Sequence, residues 1–233
     1  MTESEIKFEQ FCSSCNIFFD RITTGDSVTP DYHILVNGKK IVVEIKELDV
    51  NEAEKKVLQN METERTVVWG SNHVGDRIRY KVNDAKRQLE SSAKDICPSM
   101  LIIYDKRPYP IGGIFQYEIL VAMYGCETIE LHVPQSPDKA VTFGKHRFGK
   151  GKKFRVGVHS YISGLAVLYH NTSNNFRLDV YVNEFADKPL PYEELILMDN
   201  VNVFVRPSNP NNEFSGWARL ITDDLQNSNK QID

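Results

Sequence analysis

The chain has 233 residues, 41% of them hydrophobic and 26% charged, the balance of a soluble globular protein long enough to bury its own core. No apolar run approaches the roughly 20 residues that a membrane-spanning helix needs, so the sequence argues against a helical membrane protein and no membrane partner is expected. With 28 Lys and Arg against 32 Asp and Glu, the formal net charge is −4; binding to nucleic acid would have to come from local basic patches rather than the global field.

The acidic, polar opening Met1-Thr-Glu-Ser-Glu5 does not read as an export signal, and the expected compartment is the cytosol. There Cys12, Cys15, Cys97 and Cys126 are expected as reduced thiols. Cys12-x-x-Cys15 lacks the second ligand pair of a zinc site and falls late in a helix, so buried side chains are expected of it rather than metal or redox chemistry. Ile6, Phe8, Phe11, Cys12 and Cys15 predict a helix over 3–15. A short strand follows at 17–22, closed by the turn-prone Thr24-Gly25-Asp26.

Two strands, 30–36 and 39–48, flank Asn37-Gly38, a dipeptide suited to a hairpin turn in which both central residues need φ > 0. A two-residue turn there sets Val36 opposite Lys39 and, counting outward, Asp31 opposite Glu44. Because side chains alternate, Tyr32, Ile34, Val36, Ile41, Val43 and Ile45 form a core face. Asp31, His33, Leu35, Lys40, Val42, Glu44 and Lys46 share the other. Directly paired side chains have Cβ atoms about 4.5–5.5 Å apart, so two acids there repel unless a cation or proton lies between them. A solvated sheet face accounts for one or two such charges, but not for opposed acids on a strand pair built for a core.

Residues 50–61 are charged and helix-favouring, and 70–75 read as a loop. Ile78, Val82, Ala85, Leu89 and Ala93 predict one amphipathic helix over 77–94, stopped by Pro98. The continuous apolar run 100–104 has the signature of a buried central strand. A helix is expected at 114–124 and strands near 128–133, 154–158, 161–169 and 176–183, with a polar, disordered tail at 223–233.

Pro30-Asp31, twelve intervening residues and Glu44-Ile45-Lys46, carried by a hairpin inside an α-β-β-β-α-β order, resemble the PD-(D/E)xK nuclease superfamily. The resemblance covers about residues 3–105. It implies an α/β (α+β) fold with a restriction-endonuclease-like core over 1–105 and a mixed central sheet; beyond it, the strand-like runs themselves predict a β-rich extension over 106–222 packed on that core as one structural domain, and the polar composition a tail at 223–233. It implies Mg²⁺, with Mn²⁺ as a substitute, held by Asp31, Glu44 and the backbone carbonyl of Ile45. Lys46 would orient or deprotonate the attacking water. Many members add an acid from the first helix, for which Glu9 is the candidate and Glu5 the reserve. The helix after the E-x-K strand often lends a Lys or Gln, here Lys81 and Gln88.

Two basic features would carry nucleic acid, DNA favoured over RNA. One is the 77–94 helix, with Arg79, Lys81 and Gln88; the other is Gly144–Arg155, a cationic loop or hairpin with Lys145, Arg147, Lys150, Lys152, Lys153 and Arg155 and no acid. Gly144-x4-Gly149-Lys150 imitates a P-loop, but Gly151 stands where Ser or Thr is needed and no helix-forming run follows. Making double-strand cuts from a single site would call for a homodimer. Two other functions stay open on the sequence: a catalytically silent nucleic-acid-binding module, and a subunit of a larger nuclease assembly.

Overall fold

A computed structural model describes residues 1–23, 28–64, 66–68, 70, 73–92, 97–136, 138–170, 175–207 and 215–222. Helix α1 (Glu3–Ser14) is started by Thr2, whose Oγ1 accepts the Glu5 N–H at 3.3 Å while Glu5 Oε2 accepts the Thr2 N–H at 2.8 Å. That reciprocal pair satisfies two otherwise orphaned donors. Phe8, Phe11 and Cys12 then turn one face of α1 onto the sheet, each 0–1% exposed. Strand β1 (Phe18–Arg21) leads to β2 (Tyr32–Val36) and β3 (Lys39–Leu48). Asn37 and Gly38 adopt φ of 47° and 76°, the turn expected of Asn-Gly, and the register from Val36↔Lys39 to Tyr32↔Val43 follows the count made from the sequence.

After β3 come α2 (Glu52–Thr63), α3 (Asp76–Asp84) and α4 (Lys86–Ser92). The single helix expected over 77–94 is thus two, interrupted at Ala85, although Ile78, Val82, Ala85 and Leu89 bury one continuous stripe across both. Ala93 lies outside the described residues, as do the 24–26 turn and the 223–233 tail. Strand β4 (Ser99–Asp105), α5 (Gln116–Tyr124), β5 (Glu127–His132), β6 (Thr142–Phe148), β7 (Gly164–His170), β8 (Phe176–Val182), α6 (Tyr192–Leu195), β9 (Val201–Val205) and β10 (Ala218–Arg219) complete the order. Three differences from expectation stand out. Residues 144–148 of the 144–155 loop belong to strand β6, residues 154–158 form a turn closed by an Arg155↔Val158 bridge, and α6, β9 and β10 go beyond the expected elements.

The fold is mixed α/β. One eight-stranded sheet runs β1-β2-β3-β4-β7-β8-β9-β10, and β5 and β6 form a separate ribbon. β3, β4 and β7 are mutually parallel at its centre, β2 is antiparallel to β3, and β7 is antiparallel to β8. Both faces are covered. On one, α1 and α6 pack against Ile41, Val43, Ile45, Met100 and Ile102. On the other, α3, α4 and α5 cover Val42, Leu48, Leu101 and Ile103. Two-sided burial is why β4 reads as an unbroken apolar run, and it corrects the expectation of a single core face on the hairpin. The face that holds Glu44 and Lys46 is a second interior.

α3 meets α5 at close range. Gly75 caps α3 with φ of 75°, and a Cβ there would come within 2.9 Å of the Ala122 nitrogen and the Glu118 carbonyl oxygen. Among the described residues no helix is long and apolar enough to cross a membrane.

Candidate active site

β3 carries Glu44 and Lys46 on the face toward α3 and α4, and β2 delivers Asp31 from just outside its first residue. The β2–β3 ladder ends at Tyr32↔Val43, so Asp31 is not the direct ladder partner of Glu44 that the count implied. Its N–H reaches back to the Val43 carbonyl at 3.1 Å, its own carbonyl accepts the Ile22 N–H at 2.9 Å, and its carboxylate Oδ2 accepts the Ile45 N–H at 2.7 Å. The side chain has taken the place of the backbone in the ladder. The Ile45 carbonyl points along the same edge of β3 as its N–H, next to the Asp31 carboxyl.

Glu44 is 2% exposed. Its Oε1 meets the Lys46 ammonium at 2.9 Å, whereas Oε2 is buried with no hydrogen-bond partner among the described residues. The Asp31 carboxyl lies within hydrogen-bonding reach of Glu44, but two carboxylates are both acceptors, so a proton or a cation must mediate. Burial first, and the Asp31 charge second, push the Glu44 carboxyl up to about 7 against the pull of Lys46. Burial also raises Asp31, with the Glu5 charge adding to it and the Ile45 N–H opposing. For Lys46 burial works against the ammonium, but Glu44 and Asp84, whose Oδ2 is 3.5 Å from Nζ, hold its pKa above the ordinary value.

These groups open into a cleft of about 480 Å³ between the start of α1, the segment before β2, β3 and the α3–α4 pair. Asp31, Glu44, Ile45, Lys46, Lys81 and Gln88 all line it. From α1 the lining acid is Glu5 rather than Glu9. Glu9 sits one turn further along, where its Oε1 accepts from Arg21 Nη2 at 2.9 Å and from the Tyr32 hydroxyl at 2.8 Å; it clamps α1 to β1 and β2. Thr29 also lines the cleft and, like Gln88, buries its side-chain oxygen without a partner among the described residues. Of the five buried side-chain atoms so orphaned, three belong to this cleft; Tyr181 Oη and Glu194 Oε2 lie outside it. Buried polar atoms are nearly always satisfied, so the concentration points to something that the cleft is built to receive.

The other predicted basic residues divide. Arg79 is not available to a ligand: its guanidinium is spent on Asp76 and on the carbonyls of Val74 and Val121, fixing α3 to α5. Arg147 pairs with Glu130 at 3.0 Å across the ribbon. Lys153 Nζ bonds Asn83 Oδ1 at 3.0 Å, at the end of α3. Lys145, Lys150, Lys152 and Arg155 are exposed, and none of the six residues from 144–155 lines the cleft. Two members of the site were missed. Asp84 had a signal, since it lies on the Lys81–Gln88 helix face at spacings of three and four. Thr29 had none.

No group of three or more His, Cys, Asp or Glu side chains placed to hold a metal ion occurs among the described residues. The donor set is two carboxylates and a backbone carbonyl. That is poor for zinc, which takes three or four protein ligands. It suits Mg²⁺, which commonly uses one or two carboxylates and fills its shell with water and substrate phosphate. Compared with known proteins, the chain matches no family model, no curated protein and no solved structure.

Proposed function

We propose that this chain is a Mg²⁺-dependent nuclease of the PD-(D/E)xK kind, with the restriction-endonuclease-like core that the resemblance implies, hydrolysing phosphodiester bonds of nucleic acid, DNA before RNA. The observation that carries the reading is the buried, unpartnered Oε2 of Glu44, beside a second acid and next to the Lys46 ammonium, at the wall of an open cleft. Asp31, Glu44 and the Ile45 carbonyl would hold the ion. Mg²⁺ bound there supplies Lewis-acid polarisation and a more acidic water.

The chain's own residues do the rest. The Ile45 N–H fixes the Asp31 carboxylate in one orientation, so the acid does not reorganise as substrate enters. Glu44 and Asp84 suspend the Lys46 ammonium between them, where it can steady the negative charge that builds on a phosphate under attack and orient the attacking water. Lys81 and Gln88 offer a cation and an amide to the strand as it crosses the cleft.

The test is cleavage of a panel of duplex, single-stranded and branched DNA and of RNA with Mg²⁺ or Mn²⁺. Wild type should cut at least one of them, and Lys46→Ala or Glu44→Ala should lower the rate by about 100-fold or more. Wild-type protein no more active than both variants would end this reading.

A further inference from the structure

A second pocket lies beyond the far end of α3. It measures about 310 Å³ and is walled by Tyr124, Phe148 and Phe185 together with Arg206, at the small end of the roughly 300–1,000 Å³ of ligand pockets. The Arg206 guanidinium carbon lies 4.5 Å from the ring centroids of both Tyr124 and Phe148, and the guanidinium pairs with Glu184, the acid of the lining. Lys152 and Arg155 stand exposed in the same lining, and among the described residues neither has an acidic partner. Three cations against one acid make this pocket locally positive on a chain of net charge −4. It is also tied to the cleft. Between Lys152 and Arg155, Lys153 bonds Asn83, and the next residue, Asp84, reaches Lys46. The last turn of α3 is the bridge between the two.

Tyr124 and Phe148 are 2% and 5% exposed and form the floor, so the surfaces open to a ligand are those of the half-buried Phe185 and Arg206; an aromatic ring beside a guanidinium accepts a base of any sequence, and cations at the rim accept phosphates, the ingredients of single-strand recognition. A paired base in a duplex cannot present its face to such a wall. We propose that this pocket holds one unpaired nucleotide of a single-stranded nucleic acid, its base against Phe185 and the Arg206 guanidinium and its phosphates on Lys152 and Arg155. This inference rests on the nuclease reading of the cleft and narrows its substrate to strands that are single or locally opened.

Binding is measured by fluorescence anisotropy on the full chain in EDTA, so that cleavage plays no part, with labelled single-stranded DNA, single-stranded RNA and blunt duplex DNA of one sequence. Either or both single strands should bind tighter than the duplex; which one does so identifies the source. The double variant Lys152→Ala/Arg155→Ala should lower the slope of log affinity against log salt by about 1.4, from about 0.7 per phosphate contact on a single strand. Phe185→Ala should weaken binding about five- to tenfold with that slope unchanged, and an unchanged melting temperature of the double variant shows that its fold is intact. Duplex bound as tightly as single strand, or a double variant with the wild-type salt slope, overturns the proposal for the pocket. Cleavage that ignores Lys46→Ala overturns the reading of the cleft instead, so the two failures are separable.

Discussion

Glu44 is 2% exposed, with a second acid in reach and the Lys46 ammonium at 2.9 Å. Its carboxyl titrates at about 7 in the folded protein, against about 4.3 in an unfolded chain. A carboxyl raised on folding favours the folded state in its protonated form. Its contribution is therefore fully present below about pH 4 and is lost as pH rises through about 7, a change of about 3 kcal/mol. In EDTA the melting temperature of wild type should fall relative to that of Glu44→Gln across this window, and the gap should persist above it. Parallel melting curves for the two proteins from acid to neutral pH would contradict this. If the cleft holds the ion proposed for it, saturating Mg²⁺ should close the gap on the alkaline side, because the bound cation would take over the role of the proton.

At the scale of elements, α1 shows how one turn of helix separates two roles. Glu5 closes the capping box and lines the cleft, whereas Glu9 is held by Arg21 and the Tyr32 hydroxyl. Glu9→Ala should cost about 1–2 kcal/mol in urea unfolding, from the half-buried hydrogen bonds it strands, and leave the cleavage rate within about twofold. A collapse of activity in this variant without loss of stability would return Glu9 to the site. The sequence alone points to Glu9 with Glu5 in reserve; the two share a helix face, and the Arg21 and Tyr32 contacts that take Glu9 out of the cleft are tertiary. Local chemistry was legible. Asn37-Gly38 dictates its turn, the turn dictates register, and register puts Glu44 and Lys46 on one face. What tertiary contacts decide was not legible: the departure of Asp31 from the ladder, and the interruption at Ala85. β6 was obscured by Gly144 and its cations, since a charged strand holds only when cross-strand pairs such as Glu130–Arg147 offset the charge. β9 is carried by the β-branched and aromatic run Val201-Asn-Val-Phe-Val205, a strand signal present in the sequence.

Across the whole molecule, a charge network ties the helical layer to the sheet. Arg107, 6% exposed at its side chain, joins Asp105 at 2.9 Å and Glu54 at 3.1 Å, and Arg77 completes the set from α3. α2, α3 and the exit of β4 therefore meet at four alternating charges. For Glu54 burial works against the carboxylate, but the Asn51 N–H, Arg77 and Arg107 outweigh it and hold its pKa below the ordinary value. That stability is present above the unfolded pKa and is lost as pH falls through the folded one, opposite in sign to Glu44. Arg107→Ala would leave Glu54 and Asp105 short of a counter-ion and should cost about 3–5 kcal/mol in urea unfolding; a loss below about 1 kcal/mol would mean that water or Arg77 compensates. The hydrogen bond from the Ile45 amide to Asp31 has one more consequence. Because that proton sees the carboxylate directly, its resonance and exchange rate in nuclear magnetic resonance form a built-in gauge of the site, sensitive to any cation that draws on Asp31 and readable without labelling a ligand or altering a residue.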